Sequence, residues 1–447
     1  MDEWERRVAH QLKTFFKKSL QKNVRIILFL FRRELAQDDR FWNTKSAKDL
    51  CFIYRAPKRL RELNEKAYTP QVISIGPYHH GKKELQEMEE QKRLYLREFL
   101  GLCKVSVKDF IAAIAERESR LRNCYAETTD NLSKEEFVEM VLLDCSFLIM
   151  FLLKAFSFDI QEANTDRIFN KLWMREEIQF DLCLLENQLP FFIVEDLFNL
   201  SKIQHHCKAH SMIELTHDLL SHKWYSWVPE DISKHLKLSK AEHFVGYLAI
   251  CQRPSQHMQP AELTNLTAPS AAELHQAGMK FKLGSSINLL DIKFDDNKGT
   301  LEIPHKVIDD HTEILLRNLQ AFEQCHCGVN IYVCDYITML SFLVPSAKDV
   351  EILVKNGILE NCLPDNEAVA SLFRNLSKEN SLAIDTFYYS GLVEDLNKYC
   401  RKRRHKWKAA LKQKYFDNPW TIISLVAATV LLILTITQTV CSIIQVV

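Results

Sequence analysis

The sequence predicts a mainly α-helical protein: one large helical domain with a small antiparallel β element, plus a C-terminal transmembrane helix. Three observations carry that reading. Amphipathic or capped apolar segments run through most of the body. Short β-prone segments are confined to one stretch, between Met279 and Ile303. The last 29 residues, Pro419 to Val447, contain no Asp, Glu, Lys or Arg.

Residues 1–45 read as an N-terminal helical extension in which aromatic and basic residues intermingle, and residues 46–400 as the α-rich domain. Inside the domain, Gln71 to Ile75 is strand-like and runs into the turn Gly76-Pro77-Tyr78-His79-His80-Gly81. Glu84 to Leu100 is a charged, amphipathic helix. Ser133-Lys-Glu-Glu136 is a capping box, in which the hydroxyl caps a helix start and the glutamate reaches back to it. The helix that follows, Phe137 to Phe156, is apolar on nearly all sides and is expected at the centre of the core. Asp144 within it reads as a hydrogen-bonded buried acid rather than a catalyst. Met279 to Leu283, Ile287 to Phe294 and Thr300 to Ile303 are the β-prone segments, and Asp295-Asp-Asn-Lys-Gly299 supplies hairpin turn chemistry between the last two. Asp310-His-Thr-Glu313 opens a further helix, followed by amphipathic helices to about Leu411.

The C-terminal end divides into a basic juxtamembrane segment, 401–418, and an anchor, 419–447. Roughly 20 apolar residues at about 1.5 Å rise would cross a hydrocarbon core of about 30 Å. Trp420, Ile422, Leu425, Val430, Leu432, Leu434 and Val440 are the residues expected to meet the lipid. The basic cluster Arg401, Lys402, Arg403, Arg404, Lys406 and Lys408 lies on the N-terminal side of the span and is positioned to contact anionic lipid. With no secretory signal at the N-terminus, these features predict a single-pass, tail-anchored membrane protein with its N-terminal domain in the cytosol. The sequons at Asn131, Asn199, Asn265 and Asn375 would suit the opposite orientation.

Composition excludes several function classes. Net charge is zero, from 58 basic and 58 acidic residues, so no global field for nucleic acid exists. Ten glycines are few for a fold that binds dinucleotides or phosphates through tight glycine turns. Thirteen irregularly spaced cysteines fit reduced thiols better than a disulfide framework. There is no P-loop, His-Glu-x-x-His or Gly-x-Ser-x-Gly. Cys325-His-Cys327 with Cys334, and His205-His-Cys207 with His210, lack the paired ligand spacing of a zinc site. No cofactor or metal is expected. His79 and His80 sit on a loop of the kind that carries binding residues, although imidazoles capping nearby backbone would explain the same turn.

Several blocks resemble the plant domain-of-unknown-function family 247. They include Ile53-Tyr-Arg-Ala-Pro57, Leu60-Arg-Glu-Leu-Asn64, Ile73-Ser-Ile-Gly-Pro-Tyr-His-His80 and Met88-Glu-Glu-Gln-Lys92. Leu184-Leu-Glu-Asn-Gln-Leu-Pro-Phe-Phe192, Ser270-Ala-Ala-Glu-Leu-His275, Leu301-Glu-Ile-Pro304, Arg317-Asn-Leu-Gln-Ala-Phe-Glu323 and Asn418-Pro-Trp420 follow in order. The chain departs from the family at Asp144-Cys-Ser-Phe147, where Asp-Gly-Cys-Phe is usual, and at Ala56, where valine is commoner. The resemblance implies a single-pass membrane protein without assigned enzymatic activity. Some grass members are tied to pollen self-incompatibility, which implies recognition or signalling. Glu186, Asn187 and Gln188, between Leu185 and Leu189-Pro190, read as groups that satisfy backbone at a helix junction. The expected function is therefore a non-enzymatic interaction module with unknown protein partners and no nucleic acid. The alternatives are an enzyme built on the His79/His80 loop and a membrane-organising protein.

Overall fold

The computed structural model describes residues 51–156, 166–203, 211–223, 228, 241–254, 267–286, 288–327, 331–380, 384–402, 423 and 427–438. The N-terminal extension, most of the basic segment and most of the tail lie outside them.

The first half is organised around one helix. It begins with α1 (Lys58–Leu63), α2 (Gln86–Leu102), α3 (Val107–Arg122) and α4 (Lys134–Phe156). α5 (Leu172–Asp181), α6 (Phe191–Ser201), α7 (Met212–Lys223) and α8 (Phe244–Cys251) follow. α4 starts at the expected capping box: Glu136 N–H donates to Ser133 Oγ at 3.2 Å, and Ser133 N–H to Glu136 at 3.0 Å. Phe137, Val141, Phe147, Leu148, Phe151 and Leu152 are all buried because α2, α3, α6 and α7 pack around α4. A helix apolar on every side needs neighbours on every side, and α4 has them.

The second half adds α9 (Ala271–Gln276), β1 (Lys280–Gly284), β2 (Lys293–Asp295), β3 (Thr300–Pro304) and β4 (Lys306–Ile308). After these come α10 (Thr312–His326), α11 (Tyr332–Leu343), α12 (Ala347–Lys355), β5 (Leu359–Asn361), α13 (Asn366–Leu376) and α14 (Ser390–Arg401). α10 to α13 pack on one another, and α10 also meets α8. Buried apolar residues of both halves, from Phe52 to Tyr399, form one contiguous core.

The β element is mixed rather than antiparallel, which corrects the expectation. β2 and β3 form the anticipated hairpin, with Asp295 opposite Thr300, and Gly299 in the turn has φ +60°. However, β1 pairs with β3 in parallel, and β4 pairs in parallel with β5 about fifty residues later. Only a tertiary contact joins the latter two, so no local turn signal announces them. α10 starts within the expected Asp310–Glu313 window, at Thr312, just after a turn in which the Asp309 carboxylate accepts from Thr312 Oγ1 at 2.7 Å and His311 N–H at 3.2 Å.

The expected transmembrane helix is also overturned. Among the described residues, no helix is long and apolar enough to cross a membrane. In the tail, residue 423 and residues 427–438 are helical. An uncharged composition measures a transfer preference, whereas a span also requires a helix long enough to cross the core. The readings as tail-anchored, single-pass and membrane-localised with a cytosolic domain lose their support with it. Val430, Leu432 and Leu434 are exposed among the described tail residues. Trp420, Ile422, Leu425 and Val440 lie outside the described residues. Of the basic cluster, Arg401 ends α14, and Lys402 pairs with Asp296 at 2.6 Å in the β2–β3 turn. Arg403, Arg404, Lys406 and Lys408 lie outside the described residues.

Candidate functional site

The segment from Gln71 to Gly76 is not a strand, although its residues suit one. Its backbone is satisfied by side chains that reach it from three helices and a turn. The Asp181 carboxylate, at the end of α5, accepts from the N–H groups of Gln71, Val72 and Ile73 at 2.9, 2.7 and 2.8 Å. Asn187 Oδ1 accepts from Ile75 N–H at 2.6 Å, and its Nδ2 donates to Ile73 O at 3.0 Å and Asp181 O at 2.9 Å. Lys92 of α2 donates to Ser74 O, and Asp144 of α4 accepts from Gly76 N–H at 2.8 Å. A β-prone sequence has found its ladder in side chains, which meets the requirement that buried backbone groups be paired.

The Glu186-Asn-Gln188 triplet is the hub of this frame. Glu186 accepts from Ala56 N–H at 2.8 Å and forms ion pairs with Arg61 and, at 3.4 Å, Arg55. His79 Nε2 lies 3.5 Å from the same carboxylate but is not aligned for a hydrogen bond. Gln188 donates to Leu182 O and Leu184 O, both at 2.7 Å, and accepts from Phe244 N–H at 3.0 Å at the start of α8. The helix-junction reading of the triplet thus holds, but its reach is wider: residues near 55, 75, 185 and 244 are fastened through three consecutive side chains.

Electrostatics follow from this packing. Burial works to raise the Glu186 pKa, but His79, Arg61 and the Ala56 N–H together hold it below the usual carboxylate range. Burial brings His79 below the ordinary imidazole range, against the pull of Glu186. Asp144 pairs with Lys92 at 2.6 Å, and Lys92 pairs with Glu89 at 2.6 Å. Burial opposes the charged amine of Lys92, yet these two carboxylates keep it protonated. Among the described residues Asp181 has no counter-ion of this kind; burial pushes its pKa up to about 7 despite its three backbone donors.

The turn singled out in the sequence lies at the centre of the frame. Gly76 has φ +77°, and a β-carbon there would collide with Gln188 O. Pro77 and Tyr78 are buried, and Tyr78 Oη bonds to Glu127 while its ring carries the Arg55 guanidinium at 4.5 Å. His79 is 1% exposed, whereas His80 is half-buried. The backbone-capping role expected of the two imidazoles is not what the structure places there: neither His79 nitrogen nor His80 Nδ1 has a hydrogen-bond partner among the described residues.

Sequence reasoning missed Arg55, Arg61, Lys92 and Asp181 as members of the frame. For Lys92 a signal existed, because Met88, Lys92, Tyr95, Leu96 and Phe99 share one stripe of α2 and all are buried. A lysine on an apolar stripe implies a buried partner. Cys145 is fully buried in α4. The Cys325, Cys327 and Cys334 thiols lie near the α10–α11 junction, and Cys334 donates to Gln320 O. No group of three or more His, Cys, Asp or Glu among the described residues is arranged to hold a metal ion. His205, His206, Cys207 and His210 lie outside the described residues, as does Asn265.

The profile of a family described as plant protein of unknown function, DUF247, matches residues 53–434. A UPF0481 protein of Arabidopsis thaliana is 29% identical over 422 residues, covering 88% of this chain and 86% of its own. A second Arabidopsis thaliana UPF0481 protein is 25% identical over 478 residues, covering 86% and 88%. No solved structure gives a significant match.

Proposed function

The chain belongs to this plant family of unknown function, and we propose that it is a non-enzymatic protein-interaction module acting in recognition or signalling. The observation that carries the reading is where the polar motif atoms go. Asn187 and Gln188 spend their amides on the protein's own backbone, and Asp181 and Asp144 spend carboxylate oxygens there. Groups so employed hold a scaffold; they are not presented to a substrate. Surface residues then remain to discriminate partners, among them the adjacent Leu172 and Trp173, which are 61% and 56% exposed at the start of α5. Exposed aromatic residues of this kind anchor protein interfaces.

One observation favours the enzyme alternative: His79 and Glu186 are neighbours, as an acid–base pair would require. Against it, Glu186 is already engaged by Ala56, Arg55 and Arg61, and His79 is sealed from solvent. The test uses crosslinking in plant tissue to identify a partner, followed by titration of the purified partner against the purified full chain. Saturable binding that weakens at least tenfold in Trp173→Ala supports the reading. Consumption of a metabolite from plant extract by the wild type, spared by His79→Gln, would overturn it in favour of the enzyme.

A further inference from the structure

The three-stranded sheet leaves one edge open. Its order is β1-β3-β2, so β1 and β2 are the outer strands. β2 lies beside α14, where Phe294 meets the Tyr399 ring at 5.6 Å between centroids. On β1, Lys280 N–H donates to Gly299 O at 2.9 Å, and the parallel register runs from Lys280 opposite Thr300 to Gly284 opposite Pro304. Alternate residues of a strand bond to the same neighbour, so Phe281 and Leu283 turn their N–H and C=O groups outward. Neither N–H has a partner among the described residues. Unpaired backbone groups in a row are a template for another strand.

The side chains state which strand fits, because they alternate between two faces. On one face Phe281 is buried and Leu283, next along it, is 53% exposed. On the other, Lys280 and Lys282 are exposed. Charge alternates across that second face: in register, Lys293 of β2 and Lys282 of β1 flank Glu302 of β3. The other acids near the sheet are engaged away from this edge. Asp295 pairs with Lys298 at 3.0 Å, Asp296 with Lys402 at 2.6 Å, and Asp291 accepts from Ser286 Oγ at 2.7 Å. With one carboxylate between two lysines, and Lys280 opposite Thr300, the β1 edge itself is positive. A second copy of the chain, paired antiparallel through β1, would set lysine against lysine, which is unfavourable.

We infer that β1 is a docking edge for an extended acidic segment of a partner protein, one that alternates acidic with apolar residues. Its backbone pairs with the outward groups of Phe281 and Leu283, as in strand addition to a sheet. Its acidic side chains lie beside Lys280 and Lys282 and continue the alternation of charge, while an apolar one covers Leu283. This surface goes beyond the reading built on Trp173 and does not rest on it, since a free peptide is bound whether or not Trp173 is present.

The experiment titrates a fluorescently labelled peptide of alternating Glu and Val with the purified full chain, read by anisotropy, beside a charge-reversed Lys/Val peptide. Lys280→Glu combined with Lys282→Glu reverses the edge. Leu283→Pro removes an outward N–H without removing a bond to β3. Circular dichroism checks the folding of each variant. Support is saturable binding of the Glu/Val peptide, at least about tenfold weaker in both variants, with the Lys/Val peptide preferred by the charge-reversed one. Slowed hydrogen exchange at Phe281 and Leu283 in the complex also supports the edge. Absent binding, equal binding of both peptides by the wild type, or binding unchanged in the folded variants overturns it. Binding that is instead lost in Trp173→Ala moves the peptide to that surface and overturns the β1 edge as well.

Discussion

Asn187 Oδ1 accepts the Ile75 N–H at 2.6 Å while Asn187 Nδ2 donates to Ile73 O at 3.0 Å, so one side-chain amide pairs with this segment as a neighbouring strand would. The two ends of the contact lie more than a hundred residues apart in the chain. Replacing Asn187 with alanine strands the Ile75 N–H and two carbonyls in the interior. At about 1–3 kcal/mol for each unsatisfied buried group, Asn187→Ala should lose at least about 3 kcal/mol, read as a lower denaturant midpoint. A loss below about 1 kcal/mol would mean that the contact is not a structural keystone.

The Lys92–Asp144 pair should behave as a unit. Lys92→Met leaves the buried Asp144 carboxyl without its counter-charge, and Asp144→Asn removes the main counter-charge of Lys92. Either single change should cost about 3–5 kcal/mol, and the double variant much less than the sum of the two. Additive losses in a double-mutant cycle measured by urea unfolding would contradict the coupling.

Gly76 and Gly81 both adopt positive φ, +77° and +80°, but their surroundings differ. Gly76→Ala places a methyl group against Gln188 O and should cost more than about 3 kcal/mol, combining conformational strain with overpacking. Gly81→Ala has nothing within 4 Å and should cost only about 1–2 kcal/mol. Thermal unfolding of the two variants side by side gives the comparison.

Three buried carboxyls should pull stability down as pH rises from about 4 to about 8, while His243, His79 and His326, held below the ordinary imidazole range by burial, pull it up over the lower part of that window. Burial pushes Asp181 and Asp335 up to about 7 and Glu323 up to about 8. Each folded-state value lies above its unfolded one, near 4. At these carboxyls the native state therefore holds more protons in that window, and its advantage is lost as the groups ionise. Glu186 and Asp166 are held low and act in the opposite sense, losing stability as acid protonates them below about pH 4. Asp335 makes the cleanest test: one oxygen accepts from Tyr388 N–H at 2.8 Å, and the other has no partner among the described residues. Asp335→Asn can keep that bond, abolishes the charge and should flatten the slope between pH 5 and 8, measured as urea midpoint against pH.

The capping box at the head of α4 offers a smaller, local check. Ser133→Ala removes the acceptor for Glu136 N–H and should cost about 1 kcal/mol. A loss no larger than for an exposed mid-helix Ser→Ala change would count against the cap.

Local rules made much of the fold legible. The α4 capping box, its all-round apolar character and the Asp295–Gly299 hairpin follow from signals spanning a few residues, and all three hold. Three expectations failed where a local signal was ambiguous. Gln71 to Ile75 has strand composition, but composition does not say whether the partner is a strand or a set of side chains. The β4–β5 pair forms between segments with no turn to join them. The uncharged tail satisfied the hydropathy criterion, yet among the described residues no helix is long and apolar enough to span. The candidate site was half visible: the His79 turn and the Glu186–Gln188 block stood out separately, with nothing in the sequence to join them.

By itself, the sequence determined the helical class, the start of the central helix, the hairpin and the family, because each depends on side-chain type at short spacing or on ordered blocks. Tertiary structure alone decided that Asp181, Asn187, Lys92 and Asp144 converge on one six-residue segment. It also decided that His79 meets Glu186 and that a turn with unmet polar atoms sits among arginines. The reason is physical. Buried polar groups must find partners wherever packing brings them, and the packing that selects those partners spans more than a hundred residues of chain.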